Sequence, residues 1–289
     1  MSLTLIKGTF RIVGASPDGD SIRFYPDEPQ LWNRLPNRVR TNATGGAQLR
    51  LDAIDALETH YRPRPGGSIG EQHQPLQYAE AATAELLKFL GFDTVVRGTG
   101  QKITAATPTT ARGYILTRFA DTYGRSVAVA FPGEIDAVDG SEQFLDTRQL
   151  RRSANYHMLT AGLAYPTYYS KLYADLRQEL SAAVLEARRD LKGLWSEDKT
   201  NSGFVVESVE TITDEVVILP KLFRRLLDYL ELNDEDSSLT GFGAFLEAKR
   251  DELTILSEGR FTHLDNVVKV DGQQLQLLYP PEDLVFREK

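Results

Sequence analysis

Short apolar runs with alternating polar positions, separated by turn residues, predict a series of β-strands in the first half of this chain. The predicted strands cover residues 9–13, 21–25, 49–54, 113–119 and 126–131. The turn between the first two contains Asp18-Gly19-Asp20, and the turn between the last two contains Tyr123-Gly124-Arg125. Residues 26–48, rich in Pro, Asn and Gly, are predicted to be an insertion within a β-hairpin.

Apolar residues at helical spacing predict three helices around these strands. They cover residues 77–90, residues 141–161 and a longer segment that starts at Ser170 and is ended by Gly193. Segments 61–75 and 99–110 have the composition of loops. Five strands and about three helices in this order predict a small mixed β-barrel of the OB-fold type, and therefore an α+β protein.

The pattern of the chain changes at about residues 200–203. Beyond this point the sequence predicts a strand, two helices and a hairpin, at residues 204–213, 221–232, 242–253 and 267–278. The hairpin rests on Asp271-Gly272 between two apolar runs, which is a strong short-range signal. We therefore expect two domains, an OB-fold domain at 1–203 and a small α+β domain of unknown role at 204–289.

Composition narrows the chemistry that this chain can perform. The 289 residues contain no cysteine and only four scattered histidines. Disulfides and thiolate metal sites are thereby excluded, so a bound metal would be held mainly by oxygen, which favours calcium or magnesium. No run of 18 apolar residues and no secretory leader pattern is present, so we expect a cytoplasmic protein with no membrane partner, although secretion stays open.

The net charge of −8 argues against a general nucleic-acid coat protein, but this charge is unevenly distributed. Residues 204–289 hold 9 Lys and Arg against 18 Asp and Glu, a net charge of −9, which leaves +1 for residues 1–203. One hypothesis is that the acidic part docks away from any functional cleft, with its charge solvated. The other is that it lies near the cleft and limits access of polyanions. The sequence favours the first.

Five short motifs lie in the first part of the chain, and four of them contain carboxylates or arginines. These are Asp18-Gly19-Asp20, the segment 50–58, Tyr123-Gly124-Arg125, Gly162-Leu163-Ala164 and the segment 194–198. Each alone is typical of a turn, a solvated strand end, a helix end or a core tryptophan. Together, in this order, they resemble the staphylococcal-nuclease-like family, and the resemblance covers roughly residues 5–203.

This resemblance implies a role for each matching residue. Asp20, Asp55 and the backbone carbonyl of Ala56 would hold Ca²⁺, and Glu58 would position the attacking water. Arg50 and Arg125 would bind the phosphate and stabilise its charge in catalysis. Tyr168 would help to bind the nucleotide, and Tyr123 joins it as a candidate substrate-binding residue.

Several positions depart from the family pattern. The family's Thr-Pro-Glu is here Ala56-Leu57-Glu58, which removes a hydroxyl and a proline that would aim the glutamate. Thr122 stands where the family often has lysine, and Ser170 stands at the second nucleotide-binding tyrosine. His60 lies two residues after Glu58 and could contact substrate, but the sequence favours a solvated loop histidine. Arg62 and Arg64 stay open between a phosphate-attracting loop and a solvated one.

Two functions remain open from the sequence. The first is a calcium-dependent endonuclease that hydrolyses DNA and/or RNA with little sequence preference, by metal-assisted in-line attack of water on phosphorus. The second is a non-catalytic OB-fold module that binds nucleic acid or a protein. The acidic tail and Ala56-Leu57 favour the module, whereas the complete set of carboxylates and arginines favours the hydrolase.

Overall fold

The computed structural model describes residues 2–64, 68–233 and 236–288, so residues 65–67 of the predicted loop at 61–75 lie outside it. In the first part of the chain the strands are β1 (Ser2–Phe10), β2 (Ser21–Pro26), β3 (Ala47–Leu51), β4 (Ile54–Asp55), β5 (Thr94–Arg97), β6 (Ile103–Thr107), β7 (Ala111–Ala120), β8 (Ser126–Pro132), β9 (Glu142–Phe144), β10 (Tyr165–Pro166) and β11 (Tyr168–Tyr169). Beyond residue 203 they are β12 (Phe204–Val205), β13 (Glu252–Ile255), β14 (Arg260–His263), β15 (Val268–Asp271), β16 (Gln274–Leu277) and β17 (Leu284–Phe286).

The helices alternate with these strands. The α-helices are α1 (Leu76–Phe89), α2 (Thr147–Leu150), α3 (Ala154–Thr160), α4 (Ala174–Arg189), α5 (Pro220–Leu232) and α6 (Phe242–Lys249). Short 3-10 turns lie at Pro29–Arg34, Thr99–Gln101, Gly193–Ser196, Leu264–Asn266 and Pro281–Asp283, and a π-helical turn lies at Thr211–Glu215. Within the residues described, no helix is long and apolar enough to cross a membrane.

Five strands close into a barrel. β1 pairs antiparallel with β2 and with β7, β2 pairs antiparallel with β3, β3 runs parallel to β8, and β8 returns antiparallel to β7. β9 extends the sheet beyond the barrel on the free side of β1. Because β2 bonds to both β1 and β3, the sheet closes on itself, and the predicted five-stranded OB-fold barrel is confirmed.

The alternation along β3 sets the position of the first functional side chain. Ala47, Leu49 and Leu51 are buried in the barrel, while Gln48 and Arg50 between them are half-buried on the outer face. Side chains on a strand alternate between its two faces, so an apolar inner set leaves Arg50 pointing out of the barrel. The sequence of β3 therefore places the guanidinium of Arg50 on the outer face of the barrel, where it can contact other parts of the chain.

Some predicted elements differ from the structure. The segment 141–161, predicted to be one helix, contains strand β9 followed by two shorter helices. The side chains of Asp146 and Ser153 cap these helices by accepting from the amides of Gln149 and Tyr156. The loop predicted at 99–110 contains β6, which pairs with β5. The helix predicted at 242–253 ends at Lys249 because Arg250 adopts a left-handed conformation (φ 50°), after which β13 begins.

The chain beyond residue 203 forms two small sheets. One has the order β12-β16-β15, and the predicted hairpin around Asp271-Gly272 is confirmed in it. The other has the order β11-β17-β13-β14, in which β11 comes from the first part of the chain and runs parallel to β17. The two parts of the chain therefore complete a common sheet.

The two parts also share one hydrophobic core. Tyr61 lies against Phe223 with ring centroids 6.3 Å apart, and the buried amide of Gln74 donates to the carbonyl of Ile218 at 2.8 Å. Buried side chains of both parts, from Leu3 to Phe286, belong to one continuous cluster. The division at residue 203 thus remains a prediction about independent folding, to be tested against an interface of this extent.

Candidate active site

Four of the predicted residues meet at one edge of the barrel. Asp20 directly precedes β2, Arg50 lies opposite Ser21 on β3, Asp55 ends β4 and Glu58 follows it in the next loop. The amide of Leu51 donates to the carbonyl of Asp20 at 2.8 Å, and this bond joins the backbone beside Arg50 to the backbone of Asp20. The closed barrel therefore brings together residues that lie up to 38 positions apart in the sequence.

Asp55 is a fully buried carboxylate held between two arginines. Its side chain has no solvent exposure, and β4 fixes its backbone through pairing with Tyr165 of β10. Arg50 Nη2 lies 3.8 Å from Asp55 Oδ1. Arg224, from helix α5, donates from Nη2 to Oδ2 at 2.7 Å and from Nη1 to Oδ1 at 3.2 Å. Burial alone would raise the pKa of Asp55, but the charges of Arg224 and Arg50 outweigh it and lower that pKa.

Glu58 is aimed by its backbone and held at its carboxylate. Its amide donates to Oε1 of Gln74 at 3.3 Å, and its carbonyl accepts from the Gln74 amide at 2.9 Å. Its carboxylate oxygen Oε1 accepts a short hydrogen bond from Arg224 Nη1. Burial, with the charges of Asp18 and Asp55, raises the pKa of Glu58 against the opposing charge of Arg224. A raised pKa makes a carboxylate a better proton acceptor near neutral pH.

Asp20 lies among like charges. Burial first, and then the neighbouring Asp55, raise the pKa of Asp20 from its ordinary value near 3.8 to about 8, with Arg50 opposing the shift. Asp18, two residues earlier, accepts from the hydroxyl of Thr59 and lies 3.3 Å from Nδ1 of His60. His60 is therefore a partner of the acidic turn, and the expectation of a merely solvated loop histidine does not describe it.

Arg125 lies in the turn between β7 and β8, which one aspartate organises. Asp121 Oδ1 accepts from the amides of Tyr123 and Arg125 at 3.0 and 2.9 Å, and Oδ2 accepts from Arg125 Nε at 2.7 Å. Gly124 adopts φ +81°, a conformation that side chains other than glycine rarely take. The ring of Tyr123 lies 5.6 Å from the Arg125 guanidinium and 5.1 Å from that of Arg64. The Tyr-Gly-Arg sequence thus presents a fixed arginine beside an exposed aromatic ring.

A cleft of about 260 Å³ runs from this turn to Arg50, which is the residue it shares with the carboxylate cluster; Asp20, Asp55 and Glu58 do not line it. Its cationic lining comes from both parts of the chain: Arg50, Arg125, Lys171, Lys221, Arg225 and Arg287. Lys221 of α5 is nearly buried, with its Nζ 3.7 Å from Asp251 Oδ1 and 4.4 Å from the centre of the Phe286 ring. Burial lowers the pKa of Lys221. The cleft is thus bounded by helix α5 on one side and by the outer barrel face on the other.

The two tyrosines proposed for substrate binding are placed differently. Tyr123 is exposed at the cleft mouth, which suits its predicted role. Tyr168 is fully buried and its hydroxyl lies 3.0 Å from that of Ser181, so its predicted substrate contact does not fit this placement. Strand alternation turns the next residue, Tyr169, into the cleft, where its ring centre lies 5.8 Å from the Arg50 guanidinium. Tyr169, which lies one position after the predicted residue, was not singled out from the sequence.

The expectation that residues 204–289 dock away from the cleft is wrong. Helix α5 places Lys221 and Arg225 in the lining of the cleft and Arg224 on the carboxylates, although this part of the chain is acidic overall. Net charge averages over the whole segment, whereas the face of α5 that meets the first part of the chain carries both a cation, Arg224, and the carboxylates of Asp228 and Glu231. The one available signal was an Arg224-Arg225 pair on a strongly amphipathic helix, and that pattern does not say which surface the helix covers.

The oxygen donors present suit a hard cation in their chemistry. Asp20, Asp55 and the carbonyl of the buried Ala56 are the ligand types that Ca²⁺ prefers, and the charge around Asp20 would be relieved by a cation. The donor types suit Ca²⁺, but the oxygens of Asp55 are already engaged, because both accept from Arg224. Across the described part of the chain, no group of three or more His, Cys, Asp or Glu side chains is placed to hold a metal.

The closed barrel makes this chain an OB-fold protein, with carboxylates and arginines gathered at one edge of the barrel. Within that class, the sequence model of the family described as staphylococcal nuclease homologue matches residues 48–197, more than half of the chain, and the chain belongs to that family. The match includes Arg50, Asp55, Glu58 and Arg125, while Asp20 precedes it on the same barrel. Comparison with curated protein sequences gave no match.

Proposed function

We propose that this protein is a phosphodiesterase that hydrolyses DNA or RNA with little preference for base sequence. The observation that carries the proposal is the convergence of a buried carboxylate, Asp55, a raised-pKa carboxylate, Glu58, and the outward-facing Arg50 at one barrel edge. Perturbed carboxylates beside an arginine are typical of catalytic sites that act on anionic substrates. Little base preference follows because arginine contacts to phosphate carry no sequence information.

Each side chain has a defined task in this proposal. Glu58 accepts a proton from the attacking water, whose oxygen bonds to phosphorus in line with the bond that breaks. The electron pair of the breaking P–O5′ bond leaves with the 5′ oxygen, which then takes a proton from solvent. Arg50 binds a phosphate oxygen and Arg125 stabilises charge near the leaving oxygen. The products are a 3′-phosphate and a 5′-hydroxyl, as membership of the family suggests.

Calcium is the cation we propose for this site. Asp20, Asp55 and the carbonyl of Ala56 would hold it. Bound calcium supplies positive charge to the phosphodiester and lowers the pKa of water. Aromatic contact by Tyr123 and Tyr169 at the cleft would favour single-stranded or frayed substrate, because an unpaired base is free to stack.

A fluorescent single-stranded oligonucleotide, incubated with calcium or with a chelator, tests the proposal. We expect cleavage by the wild-type protein in calcium, and a loss of at least about a hundredfold in Glu58→Gln, which keeps shape but cannot accept the proton. Cleavage that persists at the same rate in Glu58→Gln would refute the assigned base. Product ends identified by mass spectrometry distinguish a 3′-phosphate from a 5′-phosphate.

A second candidate function is a non-catalytic module that binds nucleic acid. It is favoured by the ion pairs of Arg224 with Asp55 and Glu58, which engage the residues that the hydrolytic reaction needs. The same assay separates the two, because a module would retard the oligonucleotide in a gel without shortening it at any calcium concentration. Arg50→Ala should weaken that retention if the arginine binds phosphate.

A further inference from the structure

Arg224 reaches across from the C-terminal part to the two carboxylates on which the proposed chemistry depends. Its guanidinium is the closest cation to Asp55 among those described, at 2.7 Å, and it also bonds to Glu58. Arg50 lies farther from Asp55, at 3.8 Å. A planar guanidinium with two nitrogens on one carboxylate is a strong, directional pair.

The position of Arg224 is fixed by the rest of helix α5. Asp228, one turn later, accepts from the hydroxyl of Tyr61 at 2.9 Å and from the amide of Arg64 at 3.0 Å. Glu231, a further turn on, accepts from the amide of Ile69 at 2.9 Å. Residues spaced by three and four lie on one helical face, so these contacts set the rotation and register of α5 against the barrel. The contacts of Asp228 and Glu231 therefore hold α5 in the position that places Arg224 against the carboxylates.

We propose that Arg224 is a further residue of the active site, one that holds the place of the inorganic cation on Asp55 and restrains Glu58, so that calcium binds only when Arg224 is displaced. The inference rests on the proposed calcium-dependent activity. It assigns a role to the C-terminal part of the chain, namely control of metal loading.

The physical basis is competition for the same oxygens. Asp55 has two carboxylate oxygens, and Arg224 donates to both. A divalent cation bound there would face a guanidinium within a few ångströms, and like charges at that separation repel strongly in a buried site. Replacement of Arg224 by a neutral side chain removes the competitor and leaves the carboxylates more negative, so calcium affinity should rise.

Calcium binding measured by isothermal titration calorimetry on the full chain tests this inference. The variants are Arg224→Met, which removes the charge, and Arg224→Lys, which keeps a charge but loses the planar fork. Arg188→Met is the matched control, because Arg188 also makes a bidentate pair across the same two parts, with Glu282 at 2.6 and 3.0 Å. The double variant Asp55→Asn with Arg224→Met shows whether binding occurs at the proposed site.

We expect Arg224→Met to bind calcium at least about tenfold more tightly than the wild type, with Arg224→Lys intermediate and Arg188→Met unchanged. The double variant should lose the gain. Near-ultraviolet circular dichroism checks that each variant is folded, and Arg224→Lys carries the test if Arg224→Met does not fold.

Three outcomes would overturn the inference. Equal calcium affinity in wild type and Arg224→Met, with cleavage intact, would leave the proposed function standing and remove the competition. Absence of calcium binding in every protein would refute calcium dependence and the inference together. Cleavage by the wild type in chelator that Arg224→Met loses would show that Arg224 replaces the metal in the reaction.

Discussion

The barrel edge and helix α5 contribute opposite charges to the candidate site and its surroundings, and each does so against the net charge of its own part of the chain. The barrel part has a net charge of +1 yet supplies Asp20, Asp55 and Glu58. The C-terminal part has a net charge of −9 yet supplies Arg224 to these carboxylates, and Lys221 and Arg225 to the neighbouring cleft. The net charge of a segment therefore says little about the face through which it makes contact.

The difference also separates two ways of neutralising a carboxylate at this site. Asp18 has its partners Thr59 and His60 within the barrel, whereas Asp55 and Glu58 receive Arg224 from the C-terminal part. A histidine loses its charge as the pH rises, while an arginine keeps its charge throughout the physiological range. The barrel thus provides a partner that responds to pH, and α5 provides one that does not.

Truncation after Gly203 is the change that would affect this comparison most. We expect the shortened chain to lose cooperative folding, because β11 loses its partner β17 and the shared core loses side chains such as Phe223. The loss should exceed the roughly 5–15 kcal/mol that stabilises a typical domain. Thermal unfolding followed by near-ultraviolet circular dichroism, with the full chain as control, measures it.

A soluble and cooperatively folded product of this truncation would contradict that expectation. It would establish residues 1–203 as an independent domain and would make the C-terminal part an addition to a self-sufficient barrel. Its calcium affinity would then be of interest, because removal of Arg224 along with the whole segment should have the same sign of effect as Arg224→Met.

The next largest effect is expected from Arg125→Ala. Arg125 is positioned by Asp121 of its own turn and not by the C-terminal part, so its loss should lower turnover by at least about a hundredfold while stability changes little. Arg112→Ala is the control, because Arg112 is an exposed arginine paired with Asp27 and Glu134 on the barrel surface. Steady-state cleavage rates of the two variants provide the comparison, and equal rates would remove Arg125 from the chemistry.

The barrel edge could be predicted from the sequence because its parts are local. Short segments of sequence are enough to predict the strand alternation, the Asp121–Arg125 turn and the order of the carboxylates. Arg50 lies on the outer face of the barrel, as the alternation along β3 requires. Alternation along the two-residue strand of Tyr168 is too short to predict which of its side chains is buried. Resemblance, and not periodicity, had placed that residue.

The position of helix α5 could not be predicted, because a helix in sequence specifies its own faces but not its partner. Its apolar face predicted burial, and the helix is confirmed at Pro220–Leu232. Its contacts with Asp55 and Glu58 span more than 160 residues. The closed barrel, the pairing of β11 with β17 and long-range contacts such as that of Asp228 with Tyr61 bring these segments together.

Asp20→Asn tests the charge crowding at the barrel edge. The raised pKa means that folded Asp20 retains a proton between about pH 4 and pH 8, where unfolded Asp20 has lost it, so stability falls as the pH rises through this window. Asparagine cannot ionise, and we expect the calcium-free variant to exceed the wild type by about 2 kcal/mol at pH 8, with little difference at pH 4.5.

Chemical unfolding at the two pH values measures this difference. Added calcium should raise the stability of the wild type and not that of Asp20→Asn, since a ligand stabilises only the state that binds it. A variant that is less stable than the wild type at pH 8 without calcium would show that Asp20 is held as a favourable carboxylate, which would remove the reason for a cation beside it.

The smallest effect is expected from His60→Gln, and it isolates the partner that the barrel supplies from within. The hydrogen bond to Asp18 raises the pKa of His60 against the opposing effect of burial. Because the folded pKa lies above that of the unfolded chain, the stabilisation is complete below about pH 6.5 and is lost as the pH rises through the folded pKa. His60 is partly exposed, so we expect a deficit of at most about 1 kcal/mol for the variant at pH 5.5, vanishing at pH 8.5. Urea unfolding of both proteins at the two pH values decides it. A deficit that is the same at both would mean that His60 acts through hydrogen bonding alone, and that neither partner of these carboxylates, histidine or arginine, responds to pH.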